Sequence, residues 1–326
     1  MIRSMLFLPG NKPNILIHGE ELGADAVIYD LEDSVAPDQK DAARTLVRNT
    51  LRYTRPHGCE VIVRVNALDS PYWQQDLEAL IPLRPDYIMP PKVTGPEVVK
   101  TLDSAITNLE KKHELPEGGI GLVLLIETAL GVENAYLSAS AAKRVKAIFL
   151  GGEDLSADLG CKRTKEGNEI DYARKRMVCA AKAAAVDVYD TPFTDVNDDE
   201  GIRADAEYAK SLGFTGKSSI APRHISVINE VFSPTAADIE YAYEVIDAIT
   251  DAKKRGAGVV ALRGKMIDAP VEKRALRTIQ IVEAICGRQG TMHGLNGDAW
   301  QNDRRLRPVS DRNHEGLRPQ KGEHHG

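Results

Sequence analysis

Glu127 and Asp154 are the residues best placed to do chemistry. Each follows an apolar run, LVLLIE and AIFLGGED, so each stands at the end of a predicted strand, and the two strands are consecutive. Carboxylates on neighbouring strand ends can converge in one coordination sphere. Oxygen ligands of this kind select a hard cation, and Mg²⁺ commonly takes one or two carboxylates and completes its octahedron with water and substrate oxygens. No His or Cys adjoins either residue to suggest zinc. The competing reading has Asp154 capping the next helix and Glu127 paired with a lysine.

Arg64 interrupts VIVRVN, a run that is otherwise apolar. An arginine pointing into a buried sheet needs an anionic partner, because an unpaired buried charge is costly. Its planar fork matches a carboxylate. Two readings are open: a clamp on a substrate carboxylate or keto oxygen, and a structural salt bridge to Glu32 or Asp33. The segment Asp30-Leu-Glu-Asp33…Lys40…Arg44 is either a network that holds Arg64 and the metal waters or a solvated ion-pair face.

These residues need a scaffold that brings strand ends together. Short apolar runs recur at Met5–Leu8, Ala26–Leu31, Val61–Val65, Tyr87–Met89, Gly121–Ile126, Val145–Leu150, Val186–Tyr189 and, weakly, Phe214–Ile220. Between them lie segments of helical spacing, such as Asp41–Tyr53, Asp76–Leu83, Pro96–Lys111, Tyr172–Ala185 and Gly201–Leu212. Continuous apolar strands joined by helices indicate a parallel sheet buried on both faces. About eight such units predict a (β/α)₈ TIM barrel, whose chemistry sits at the C-terminal ends of the strands. The alternative is a doubly wound open sheet. Against it, the first strand–helix junction reads PGNKPN rather than G-x-G-x-x-G, and there is no P-loop.

The predicted organisation is a catalytic barrel over residues 1–234, a C-terminal helical module over 235–286 and a mobile tail over 287–326. The module carries helix-like segments Thr235–Lys254 and Pro270–Cys286 around Gly256–Asp268. With the barrel full, it must pack outside it or on a neighbouring subunit. Gly256, Gly258 and Gly264 suggest a loop free to move as a lid. The competing reading makes that stretch a linker, with Asp268 capping the next helix.

Composition excludes several classes. The chain of 326 residues is 42% apolar and 28% charged, ordinary for a globular protein. A net charge of −6 argues against a nucleic-acid binder. No apolar stretch approaches the roughly 20 residues needed to span a bilayer, and the start MIRSMLFLPG lacks a signal-peptide core. Cys59, Cys161, Cys179 and Cys286 form no C-x-x-C pair, so a reducing compartment is the simpler expectation. A soluble cytoplasmic protein, binding neither nucleic acid nor membrane, is expected.

The motifs RSMLFLPGN, DLEDSVAPDQKDAAR, VIVRVNALDS, IETALG, GGEDLSADLGCKRTKEGNE, GFTGKSSIAP and GKMIDAPV follow one another in this order. Together they resemble the citrate lyase β-subunit family, within the HpcH/HpaI aldolase and malyl-CoA lyase group, over about residues 2–285. VRVNALDS and KRTKEGNE look closer to the citrate lyase β subunits than to the malyl-CoA lyases. The chain departs at KSSIAPRH, where Ala221 stands in a position often occupied by Asn or His.

The resemblance implies a barrel whose C-terminal helices reach onto a neighbour in a trimer or hexamer. It implies Glu127 and Asp154 as Mg²⁺ ligands, Glu127 and Arg64 as substrate-binding residues, and Asp268 as an acid/base delivered from the neighbouring subunit. It also implies a thioester carried by CoA or an acyl carrier protein, with citrate lyase α and γ subunits as possible partners. Such carriers are polyanionic, which makes Arg3, Lys12, Lys92 and Lys217, all near strand starts or ends, candidate anchors. The implied reaction is a retro-Claisen cleavage of citryl thioester to oxaloacetate and acetyl thioester. Malyl-CoA or citramalyl-CoA lyase, a free 2-oxo acid aldolase, and a non-catalytic carrier-docking subunit are the alternatives.

Overall fold

The computed structural model describes residues 1–254, 256 and 260–292. They form two compact units, Met1–Phe232 and the residues from Ser233 onward.

The first unit is a closed barrel of eight parallel strands in sequence order. They are β1 Ser4–Pro9, β2 Ala26–Asp30, β3 Glu60–Arg64, β4 Tyr87–Met89, β5 Gly121–Ile126, β6 Val145–Leu150, β7 Asp187–Asp190 and β8 Gly216–Ser219. Pairing of β1 with both β2 and β8 closes the ring. The helices between them include Lys40–Tyr53, Pro96–Lys112, Asp171–Ala184 and Asp199–Leu212.

Period-two alternation along each strand divides the apolar side chains into two cores. Met5, Ile28, Ile62, Met89, Val123, Leu125, Phe149 and Tyr189 fill the interior of the barrel. Their neighbours, such as Leu6, Val27, Val63, Leu124 and Ile148, face outward beneath the helices. Those helices meet them through spacings such as Ala43, Val47 and Leu51 on Lys40–Tyr53, all buried. A fully buried Val or Leu side chain contributes about 1.5–3 kcal/mol. Covering both faces is what lets an all-parallel sheet persist.

In the second unit, helices Ala236–Lys254 and Ala269–Met292 share a core of Ala242, Val245, Ile249, Ile267, Ala275 and Ile279. Thr235 and Asp238 cap the first helix reciprocally through hydrogen bonds of 2.9 and 3.1 Å. The expected lid loop is instead, in its described part, a β-hairpin, β9 Val260–Leu262 against β10 Lys265–Ile267. Arg263 and Gly264 turn it with φ of 49° and 74°, the left-handed pair that a two-residue hairpin demands. Gly258 lies outside the described residues. The last helix passes the predicted end at Cys286 and runs to Met292; the rest of the predicted tail, 293–326, lies outside the described residues.

Candidate active site

The inward face of each strand continues past the barrel core to the C-terminal mouth. On β2, Asp30 follows Ile28 in the same phase; on β3, Arg64 follows Ile62. Beyond β5, Glu127 follows Leu125, and beyond β6, Gly151 follows Phe149. Beyond β7, Thr191 follows Tyr189. Asp30, Arg64, Glu127, Gly151 and Thr191, with Phe7, Asp33, Glu153, Asp154 and Ile220, line a cavity of about 420 Å³. All of its lining residues belong to the first unit.

Asp30 and Arg64 are register partners on β2 and β3. Arg64 Nε donates to Asp30 Oδ1 at 2.6 Å, and Nη2 donates to Oδ2 at 2.7 Å. Its remaining nitrogen, Nη1, lies 3.2 Å from Glu32 Oε2 and 3.8 Å from Asp33. Burial would raise the Asp30 carboxyl, but the Arg64 fork outweighs it and holds it below the usual carboxylate range. Burial likewise opposes the charge on Arg64, and hydrogen bonding to Asp30 outweighs it, so the guanidinium stays charged. It stands 5.1 Å from the centre of the Phe7 ring, which meets Phe149 edge-on. The cavity therefore sets aromatic surface beside charged groups.

Glu127 is buried, and its Oε1 accepts the Lys92 backbone N–H at 2.8 Å. Burial first, and the Asp154 charge second, push its carboxyl up to about 8. Asp154 lies in the first turn of helix Gly152–Asp158, whose start has no side-chain cap. Its Oδ2 is buried without a hydrogen-bond partner. A buried carboxylate oxygen without a hydrogen bond, beside a second carboxylate that burial keeps from ionising, fits a bound cation. Among the described residues no cluster of three or more His, Cys, Asp or Glu is built for a metal. Two carboxylates and open positions suit a hard, water-retaining ion.

Gly151 and Gly152 let these parts approach. A Cβ on Gly151 would fall 2.6 Å from both Cβ and Oε2 of Glu127, and one on Gly152 would fall 2.8 Å from Thr191 Oγ1. Lys92 has a left-handed backbone, with φ of 53°, and its ammonium spans Glu32 Oε1 at 3.2 Å and Asp154 Oδ2 at 4.0 Å. Strained backbone of this kind persists where the surroundings over-determine it, as at active sites.

The HpcH/HpaI aldolase/citrate lyase profile matches residues 3–222. The chain belongs to that family. The chain is 40% identical over 282 residues to the citrate lyase subunit beta of Leuconostoc mesenteroides subsp. cremoris, covering 86% of this chain and 93% of that one. It is 32% identical to the mouse mitochondrial citramalyl-CoA lyase, covering 87% and 86%. Its fold superposes on the protein CitE of Mycobacterium tuberculosis, solved in complex with magnesium, acetoacetate and coenzyme A. That match has a TM-score of 0.69 at 29% identity, over 85% of this chain and 97% of that one. Family membership makes this chain a carbon–carbon lyase.

The family barrel brings Arg64, Glu127 and Asp154 to one cavity and separates them from other expected residues. Arg3 precedes β1, so it lies at the opposite end of the barrel, where it grips Asp25 with two side-chain hydrogen bonds of 2.8 Å. It cannot reach a ligand at the mouth. Lys217 is also no anchor: it faces outward from β8 and is completely buried against Asp190 and Asp205, 2.6 Å from each. Lys92 turns into the carboxylate cluster, while Lys12, just beyond β1, remains exposed at the mouth. Asp268 lies in the second unit, where its Oδ1 accepts the Val271 N–H at 3.2 Å and caps the last helix.

Asp154 does not cap its helix, and the Lys92 partner of Glu127 is a backbone N–H rather than an ammonium. The expected contacts of Arg64 with Glu32 and Asp33 are present, but its principal partner, through two hydrogen bonds, is Asp30. Alternation within AVIYD and EVIVR was the available signal. It puts Asp30 and Arg64 in one phase.

Proposed function

We propose that the chain cleaves a 3-hydroxy-acyl thioester by a retro-Claisen reaction, with citryl thioester giving oxaloacetate and acetyl thioester. The reading rests on the Glu127–Asp154 pair: two carboxylates, one with an orphaned buried oxygen, beside a fixed guanidinium in a half-apolar cavity. Glu127 and Asp154 would hold Mg²⁺, the ion bound by the CitE relative. When bound, the ion supplies a Lewis acid to the hydroxyl and carboxylate oxygens of the substrate.

The chain's own residues account for the rest. Arg64, locked by Asp30, offers its Nη1 edge to a substrate oxygen and needs no reorganisation as charge develops there. A base takes the proton of the 3-hydroxyl, the C–C bond breaks, and a 2-oxo acid leaves a thioester enolate. Protonation of that carbanion completes the acetyl thioester. Asp268, supplied by a neighbouring subunit of a trimer or hexamer, is the proposed acid/base. Phe7, Leu125 and Phe149 keep water from the enolate side. Lys12 is the remaining anchor for the phosphates of CoA or an acyl carrier protein. Citrate lyase α and γ subunits are the proposed partners, and the cytoplasm is the proposed setting.

The mouse relative favours citramalyl-CoA as the second substrate to test. Purified protein should release oxaloacetate from citryl-CoA with added Mg²⁺ and lose that activity with chelator. Faster turnover of citramalyl- or malyl-CoA would reassign the acyl group. No metal-dependent turnover of any of the three would reduce the chain to a carrier-docking subunit.

A further inference from the structure

Four charged residues with no part in the proposed chemistry are buried behind the site. Asp190, one residue before the cavity-lining Thr191, points outward from the barrel. Arg174 Nε and Nη2 donate to its two oxygens at 3.0 and 2.8 Å, and Arg174 Nη2 also reaches Asp205 Oδ1 at 2.7 Å. Lys217 Nζ donates to Asp190 Oδ2 and to the Thr191 carbonyl, each at 2.6 Å. Arg174, Asp190 and Lys217 are fully buried, and Thr191 nearly so. The main chain at Thr191 is thus held from behind.

Its side chain faces the other way. Thr191 Oγ1 accepts the Gly152 N–H at 2.9 Å. That amide opens helix Gly152–Asp158, which carries Asp154 two residues on. No side chain on the helix's own start holds it, so the grip comes from β7 next door.

We infer that Thr191 is a positioning residue for the cation site, fixing Asp154 opposite Glu127 through its hydrogen bond to Gly152. The inference rests on the proposed role of Glu127 and Asp154 as ligands. It assigns Lys217, Asp190 and Arg174 the task of holding Thr191. Supporting groups of this kind typically change metal affinity or activity by about 10–100-fold when removed.

The test uses Mn²⁺ alone as the probe, with binding to the full chain read from the free-ion EPR signal in the absence of thioester. Thr191→Val keeps the branched shape and loses the acceptor; Thr191→Ser keeps the hydroxyl. The Mn²⁺ Kd should rise about tenfold in Thr191→Val and return to within about twofold of wild type in Thr191→Ser. The Mg²⁺ activation constant should move in step. Thr191→Ala replaces Thr191→Val if the valine protein does not fold. A wild-type Kd in the hydroxyl-less variant overturns the inference, as does a serine variant no tighter than valine. Wild-type protein that binds no Mn²⁺ would sink the metal reading itself and the inference with it.

Discussion

Arg64 and Asp30 sit at the same level on adjacent parallel strands and share two hydrogen bonds of 2.6 and 2.7 Å. The guanidinium fork is thereby occupied by the protein. A side-on clamp on substrate through Nε and Nη2 is not available; Nη1, 3.2 Å from Glu32, and the second N–H of Nη2 are the donors left to face a ligand.

Arg64→Lys should therefore damage catalysis through orientation. Lysine keeps the charge but cannot hold both Asp30 oxygens while reaching the cavity. Loss of one preorganised donor at a developing charge lowers kcat by about 10²–10³-fold, and a comparable fall in kcat/KM is expected. Thermal unfolding should show a smaller loss than deletion of the charge in Arg64→Ala, since removing one partner of a buried pair costs about 3–5 kcal/mol. Wild-type kcat/KM in Arg64→Lys would make Arg64 peripheral.

Gly151→Ala should cripple the site from a position that bears no functional group. The added methyl would fall 2.6 Å from Glu127 Cβ and Oε2, so Glu127 or the end of β6 must move. Mg²⁺ affinity should drop by about 10–100-fold, the range for a disturbed ligand shell. Calorimetric titration of Mg²⁺ into wild type and variant provides the measurement. Equal affinities would show that the β6 end yields without disturbing Glu127.

The buried network should make the barrel acid-sensitive. Burial works to raise the Asp190 carboxyl, but Lys217 and Arg174 outweigh it and hold it below the usual range. Its contribution is therefore present above the ordinary carboxylate value of about 3.9 and lost as pH falls through the depressed one. Asp190→Asn should lose about 3–5 kcal/mol at neutral pH, because two buried cations lose an anion. Urea unfolding should show that gap narrowing below about pH 4. A gap independent of pH would mean the charge on Asp190 is not what matters.

Asp268 should work on a neighbour's site. Asp268→Asn preserves the cap, since Asn serves that position as well as Asp, so the last helix should remain intact. Asp268→Asn and Glu127→Gln should each lose about 10²–10⁴-fold of the rate as homo-oligomers, the scale of a lost acid/base or charge. Verified mixed oligomers should recover activity above both parents, because some sites would join an intact Glu127 to an intact Asp268. Mixtures no better than the parents would confine Asp268 to capping.

The eight-stranded barrel, and the placing of Glu127 and Asp154 at neighbouring strand ends, are legible in the sequence. Eight apolar runs spaced by helical segments have few ways to bury both faces of a parallel sheet, and LVLLIE and AIFLGGED mark their own ends. Continuous apolar runs conceal which residues point inward, because both phases are hydrophobic. Lys217, in the polar strand GKSS, carries no apolar phase to mark its direction and reads as a residue of the mouth; closure of the barrel turns it outward into the helix layer, among Arg174, Asp190 and Asp205. Arg3 looked equally available, but a residue before a strand and one after it are separated by the full height of the barrel. Pairing across strands belongs to register, which local spacing does not encode. Only the β2–β3 register set Arg64 against Asp30, and only the approach of β7 to β6 gave Gly152 its partner in Thr191. The hairpin at Val260–Ile267 was hidden in glycines that read as freedom, where the left-handed turn at Arg263 and Gly264 uses them for order.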